Sequence, residues 1–339
     1  RMQAREDAMN APLAIRHAQP KGREPGIYFG WDEDEYHADS ALGSSDMRNL
    51  LLSPPDFWWG SAAHNPDWES DENDDTPAKV RGKAMHKLVL EGDDLFSKWY
   101  ARGPKHDPEA TPAEKSAATK AAKKDLAPGR ELIPAKDYDR IAIAGAMITK
   151  NPKLAGAFTG GLSEVSVIWE RPVGDRIVRC KCRLDYLKPR GIGDLKSITN
   201  VKKIEFRRAC REAIANYRYD IQAAHYLEGR RAMRELYAAG AVHGDHDDEL
   251  LERIMASKTF AFQFVFFQAS KAPVTWSTIL SPANPMIENA NNDLILASEN
   301  YLRHLDAFGP SDIWLILDEP RELTFTEMPG WFARTDPTP

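Results

Sequence analysis

Apolar positions along the chain alternate between helix-like and strand-like blocks. Up to about residue 160 they recur at helical spacing, punctuated by Gly and Pro. "GSSDMRNLLLSPPDFWWG" predicts a short helix that Ser44, Ser45 or Asp46 can cap and that Pro54 and Pro55 end. "VRGKAMHKLVLEG" predicts a helix stopped at Gly92. The Ala/Lys-rich "ATPAEKSAATKAAKKDLAPG" predicts a surface helix, placed where a phosphate backbone can approach. "PAKDYDRIAIAGAMITKNPKLAGAF" predicts another, broken near Asn151 and Pro152. A block of short runs rich in β-branched residues follows. "LSEVSVIWERP", "DRIVRCKCRLDYL" and "GIGDLKSI" read as strands separated by Gly/Pro turns. A long helical stretch over 201–238 follows, then a short helix, two further strands in "TFAFQFVFFQ" and "APVTWSTILS", a helix over 288–308 and a tail. This order predicts an α+β or mixed α/β fold with a central sheet flanked by helices. Residues 1–25 are expected to be loosely ordered. Residues 26–335 are expected to form a single domain, with a helical part over 26–160 and a sheet core over 161–335.

Composition narrows the function classes. The 339 residues contain no apolar run near the roughly 18 needed to cross a bilayer. The first residues lack a compact apolar segment, so no secretory signal is expected. Three cysteines, Cys180, Cys182 and Cys210, argue against a disulfide scaffold and fit a reducing cytoplasm. A net charge of -6 argues against wholesale coating of nucleic acid. Yet over 176–218 thirteen Lys/Arg stand against four Asp/Glu, while the acid gathers in "WDEDEYHAD", "DWESDENDD" and "HGDHDDELLE". A basic strip in an acidic chain is either a solvated surface or a confined polyanion site.

The chemistry concentrates in "RCKCRLDYLKPRGIGDLKSITN", residues 179–200. Strand centres avoid aspartate, yet Asp185 and Asp194 fall on two predicted strands. Asp194 and Lys196 are two apart and share a face. Residues 189–193 form a tight return, so the two carboxylates can meet at one end of the sheet. Carboxylates that close repel unless one is protonated or a cation lies between them. Oxygen donors suit Mg²⁺ or Mn²⁺, and the Leu195 carbonyl can add a ligand. Phosphodiester hydrolysis uses this equipment: a metal activates water and neutralises charge on phosphorus, and a lysine beside the water stabilises the developing anion. Alone, D-x-K is a common surface triplet. His86, in "GKAMHKLVLEG", is either a packed helical histidine or a further metal ligand. Gln222 and Tyr226 stand four apart on one helix face. They form either an ordinary amphipathic surface or a polar pair for phosphate and the metal's water.

Taken in order, G-x-x-x-H (Gly82, His86), R-x-D (Arg183, Asp185), G-D-x-K (Gly193, Asp194, Lys196) and Q-x-x-x-Y (Gln222, Tyr226) resemble the RecB-type branch of the PD-(D/E)XK nucleases. Within that branch the nuclease domain of the RecE (exonuclease VIII) type is the nearest likeness. "YHADSALGSSDMRNLLLSPPDFW", "RGKAMHKLVLEG", "LSEVSVIW", "YRYDIQAAHYLEG", "FQFVFFQ" and "MPGWF" extend the resemblance over 36–332. It implies a restriction-endonuclease-like core similar to lambda exonuclease. It also implies Mg²⁺-dependent digestion of linear double-stranded DNA from its ends, 5′ to 3′, leaving 3′ tails for recombination with a RecT-type annealing protein. A homo-oligomeric ring and a bacterial or phage-encoded cytoplasmic enzyme are implied as well. Carried over, Asp185, Asp194 and the Leu195 carbonyl bind metal, His86 assists, Lys196 acts on the water, and Gln222 and Tyr226 organise the substrate side. Glu164 opens the first strand, where related nucleases often carry a glutamate.

The chain departs from the pattern in places. Asp194 stands where many relatives have glutamate. "SPPDF" puts Ser53 where cluster-bearing relatives have cysteine, and three cysteines cannot supply four thiolates, so no iron–sulfur cluster is expected. No G-x-x-x-x-G-K-[ST] loop suggests an ATP-driven motor. Cys180 and Cys182 are expected to be buried, and Trp31, Trp58 and Trp59 to pack beneath the N-terminal helix or meet a neighbouring copy. His243 and His246 read as part of an acidic loop opening a helix. Two alternatives stay open: a structure-selective endonuclease of the same superfamily, and a silent protein that binds DNA ends.

Overall fold

The structure is a computed structural model and describes residues 16–69, 77–268, 274–330 and 332. Its helices are α1 (Glu33–Ala38), α2 (Ser44–Leu52), α3 (Pro54–Trp59), α4 (Pro77–His86), α5 (Asp93–Trp99), α6 (Pro112–Lys124), α7 (Ala135–Thr149), α8 (Phe206–Asn216), α9 (Tyr219–Ala238), α10 (Asp248–Ala256) and α11 (Pro285–Phe308). Its strands are β1 (Gly26–Tyr28), β2 (Tyr100–Arg102), β3 (Glu131–Ile133), β4 (Leu162–Val173), β5 (Arg176–Lys188), β6 (Gly191–Ser197), β7 (Val242–His243), β8 (Ala261–Gln268) and β9 (Val274–Leu280). A seven-stranded sheet runs β7-β1-β4-β5-β6-β8-β9, and β2 pairs with β3 apart from it. β4, β5 and β6 are an antiparallel meander, β6 and β8 run parallel, and β8 and β9 antiparallel. This is the expected mixed α/β fold with helices on both faces. Among the described residues no helix is long and apolar enough to cross a membrane.

Strand alternation sorts the core into two layers. On one face Val165, Val167, Val178, Cys180, Cys182, Phe262 and Phe264 pack with α9, α11 and the segment around α2 and α3. On the other, Leu195, Val265 and Phe267 pack with Ala84 and Met85 of α4 and with Ile141 and Ala144 of α7. β8 is therefore apolar on both sides, which explains the near-continuous run "FAFQFVFFQ". The larger layer gathers residues from Ile27 to Trp314, so the helical first part and the sheet share one core.

Several expectations change. Residues 1–15 lie outside the described residues, but residues 16–25 are not loosely attached. The His17 N–H donates to Asp306 (3.1 Å), and the Gln19 amide donates to the Ser40 carbonyl (2.8 Å) while accepting from the Arg179 N–H (2.8 Å). Polar side chains reaching backbone groups hold a stretch that has no periodicity of its own. The prolines after Leu52 do more than end a helix. Ser53 accepts from the Asp56 N–H and caps α3, with proline in its first turn, where a missing N–H costs no bond. The helix over 201–238 is two helices. Arg218, at φ 51°, breaks it and is held by Asp220 and Asp293. The acidic loop "PDWESDENDDTPAK" falls largely outside the described residues. Trp31 and Trp58 are buried, whereas Trp59 is exposed. Asp247 caps α10 through the Leu250 N–H (2.9 Å), as the acidic-loop reading expects.

Candidate active site

Three acids stand in a row across the meander. Ser163↔Tyr186 and Val165↔Leu184 set Glu164 opposite Asp185, and Tyr186↔Gly193 continues the register from Asp185 to Asp194. The β5–β6 ladder stops at Tyr186↔Gly193. Beyond it the Leu195 N–H donates to Asp185 Oδ2 at 2.9 Å, so a side chain replaces a backbone rung. Glu164 has φ 53° within β4, a left-handed backbone that costs an L-residue roughly 1–2 kcal/mol. Such strain, held in place by strand pairing on both sides, is a mark of functional sites.

Asp194 is fully buried. Gln222 of α9 donates to its Oδ1 at 2.8 Å, and the Lys196 ammonium lies 2.6 Å from Oδ2. That ion pair is close but poorly directed, and Oδ2 meets no aligned hydrogen-bond donor. Burial pushes the Asp194 carboxyl up to about 6, with Asp185 adding to the rise and Lys196 opposing it. Burial and then Asp185 push Glu164 to about 7. Lys196 is itself pulled down by burial, but Asp194 and Asp185 outweigh this and hold the ammonium charged. The glycine of the G-D-x-K motif has a packing reason: a Cβ on Gly193 would lie 3.0 Å from both the Ala157 carbonyl oxygen and the Phe158 ring.

His86 ends α4 beside this row, its Nδ1 3.7 Å from Asp185 Oδ2 and its Nε2 2.8 Å from the Leu195 carbonyl oxygen. Two expected ligands, His86 and the Leu195 carbonyl, are thus bonded to each other. A cation drawing on both would replace that bond. Among the described residues no three His, Cys, Asp or Glu side chains converge tightly enough to chelate an ion unaided. Asp185 is drawn to a backbone N–H and Asp194 to Gln222 and Lys196. Tyr226 packs against Phe262 (ring centroids 5.9 Å), and burial keeps its hydroxyl protonated. Tyr219 was not anticipated. Its ring lies 5.3 Å from the Lys196 ammonium, a cation–π contact, and its place three residues before Gln222 was the available signal.

Neighbours of the motif have structural work. The Lys181 ammonium takes the Tyr36 and Asp39 carbonyls (2.6 and 2.7 Å), and Arg183 takes the Trp31 carbonyl (2.7 Å) and Ser166 (2.9 Å). Arg176 and Arg179 pair with Asp306 and Asp39. On the surface the basic strip leaves Arg190 and, after the end of β6 that carries Lys196, Lys202, Lys203, Arg207, Arg208 and Arg211, of which Lys202 and Arg208 pair with Glu212 and Arg207 with Glu205. Cys180 and Cys182 lie in the core.

The family model described as a PDDEXK-like domain of unknown function (DUF3799) matches residues 58–239, more than half of the chain. The chain belongs to this PDDEXK-like family. The matched interval contains His86, Glu164, Asp185, Asp194, Lys196, Gln222 and Tyr226. A search of curated proteins finds no match. A solved structure of a proposed exonuclease from Eubacterium rectale overlaps 86% of this chain and 94% of its own, at 13% identity and TM-score 0.46. The structure of SSO0001 overlaps 47% and 57%, at 12% identity and TM-score 0.23. Both likenesses are distant.

The PDDEXK-like site fits a hard divalent cation on its own features. Its donors are carboxylate and carbonyl oxygens, and Glu164 and Asp194 are pushed toward the protonated state by burial and then by the Asp185 charge, a repulsion that a cation would relieve. Asp185, Asp194 and the Leu195 carbonyl would hold the ion, with Glu164 and His86 beside it.

Proposed function

We propose that the chain is a metal-dependent deoxyribonuclease that digests linear duplex DNA from its ends in the manner of the RecE type. The observation that carries this reading is the acid row Glu164, Asp185, Asp194, with Lys196 ion-paired at its end on a PDDEXK-like core. A divalent cation, Mg²⁺ with Mn²⁺ as substitute, supplies a lowered pKa for bound water and a Lewis acid for the phosphoryl oxygen. The protein's own residues do the rest. Gln222 fixes Asp194 by its amide, so the carboxylate keeps one orientation. Lys196 remains charged beside Asp194 and donates to the negative charge that builds on the phosphate oxygens. Glu164 and Asp185 supply carboxylate charge on the opposite side of the row. Tyr226 and Tyr219 hold the α9 side of the site in register. The exposed basic residues after β6 are suited to the phosphates of the departing strand.

Support for polarity 5′ to 3′, for 3′ tails passed to an annealing protein and for a ring comes from the resemblance of the ordered motifs. The test is a linear duplex labelled at each end in turn. Mg²⁺-dependent release from the 5′-ended strand, stopped by EDTA and lost in Lys196→Ala, is expected. Nicking of closed circles, or undiminished cleavage by Lys196→Ala and Asp194→Asn, overturns the reading.

A further inference from the structure

Sharing no residue with the acid row, the small sheet of β2 and β3 and the helices α6 and α7 border a cavity of about 630 Å³. Arg102, Lys105, Lys123, Lys136 and Asp139 line it, with His106 beside them. Asp139 is engaged by Arg102 through paired bonds of 2.7 and 2.8 Å. Lys105, Lys123 and Lys136, all exposed, also line this space, with no second carboxylate in its lining. In a chain of net charge -6 this is not a by-product of composition. Like charges gathered around one space repel, and an anion between them reverses the sign.

The cavity also meets the start of α7, a helix of 15 residues. Its N-cap residue is Pro134, which provides no side-chain cap; the Pro134 carbonyl accepts from the Asp137 and Tyr138 N–H groups (2.8 and 3.0 Å), so the N–H groups of Ala135 and Lys136 are the ones left for an outside acceptor. Gly103 lies at the same place: a Cβ there would sit 2.9 Å from the Ile133 carbonyl oxygen and 3.4 Å from the Ala135 nitrogen. α7 leads back to the acid row, because its Asp137 pairs with Arg81 of α4 at 3.2 Å and α4 ends in His86.

From this geometry we infer that the cavity is a phosphate-binding site distinct from the acid row, taking either a phosphodiester of the DNA backbone or the phosphate of a free nucleotide. Lysine binds phosphate as a point charge, and the volume falls within the roughly 300–1,000 Å³ of small-molecule sites. With the DNA backbone as ligand, the site rests on the nuclease reading above and anchors duplex that extends beyond the bond being cut.

The experiment uses the full chain in EDTA, so that binding is read without turnover. The triple variant Lys105→Ala/Lys123→Ala/Lys136→Ala removes three exposed side chains, and an unchanged melting temperature confirms its fold. Binding of a labelled duplex is followed by anisotropy across about 50–200 mM salt, and binding of dAMP by calorimetry. A duplex affinity about tenfold lower, with a salt slope shallower by about one per lysine contact, supports the site and names the backbone as its ligand. Loss of dAMP binding with duplex binding intact supports it with a free nucleotide as ligand. Unchanged binding of both, or a wild type that binds neither, overturns it. If hydrolysis with metal fails while these binding losses appear, only the nuclease reading falls.

Discussion

Two polar clusters are buried on this sheet beneath α9, and they are built to opposite rules. Near one end, Glu228 of α9 receives Trp169 (2.9 Å) and Arg171 (2.6 and 3.0 Å), and Arg171 reaches on to Ser298 (3.1 Å) and His225 (3.1 Å). His225 donates in turn to the Lys181 carbonyl (3.0 Å), and burial pushes its pKa down to about 3, so it stays neutral. Burial pushes Glu228 up, but Arg171 outweighs it and the carboxyl ends below its ordinary value. In the acid row the balance is reversed. Two carboxyls are raised, one residue is held in the left-handed region, and a buried oxygen lacks a directed donor. A network whose charges are balanced fixes a core; one whose carboxyls are held above their ordinary values keeps room for a cation that is added.

The largest effect should separate the two clusters by readout. Asp194→Asn keeps the shape and the Gln222 contact but removes a charge, and is expected to lower turnover on linear duplex by about a thousandfold, roughly 4 kcal/mol. Its melting temperature should change little, since relief of a buried carboxyl held above its ordinary value is offset by the loss of the Lys196 ammonium's partner. Arg171→Ala should do the converse. It strands Glu228 in the core, so urea unfolding should show a loss of about 3–5 kcal/mol, with activity per folded molecule retained. A catalytic loss in the second variant equal to that in the first would erase the distinction.

Smaller changes sharpen it. Gln222→Leu frees Asp194 Oδ1, and kinetics should show about a 10–100-fold loss of activity or metal affinity. pH acts with opposite sign on the two clusters. Glu164 and Asp194 bind protons more tightly folded than unfolded, so without divalent ions their contribution to stability falls as pH rises from about 4 to about 7. Glu228 contributes stability above the ordinary carboxylate range and loses it as pH falls through its lowered value. Melting curves of Glu164→Gln against wild type across this range isolate the first term; identical curves contradict it. Gly82, one turn before His86, is the least costly probe. A Cβ there meets nothing within 4 Å, so Gly82→Ala should stabilise α4 by up to about 1 kcal/mol, while slower cleavage would mark the space as a path for substrate.

Much of this was legible before any coordinates. The β-branched runs between Gly/Pro turns gave the meander, although the centres of β4 and β6 are buried on both faces, and the spacing of Asp194 and Lys196 fixed their shared side. The row itself was only half legible: Glu164 faces Asp185 because of register, which one strand's sequence does not state. The tie of His86 to the Leu195 carbonyl, and the Asp185 carboxylate standing in for a ladder rung, depend on tertiary approach between residues 109 and 10 positions apart. β1 and β7 were missed because strands of three and two residues show no period. The break at Arg218 was missed because a left-handed arginine is stabilised by Asp293, far along the chain.

The central claim is that the acid row, with Glu164 and Asp194 raised by burial and by Asp185, is held for a divalent ion. Titrating Mn²⁺ into the full chain, with free ion followed by electron paramagnetic resonance, tests it without DNA. Saturable binding in the wild type, weakened about tenfold or more by Asp194→Asn, is expected. No binding in the wild type, or equal binding in both, would contradict it.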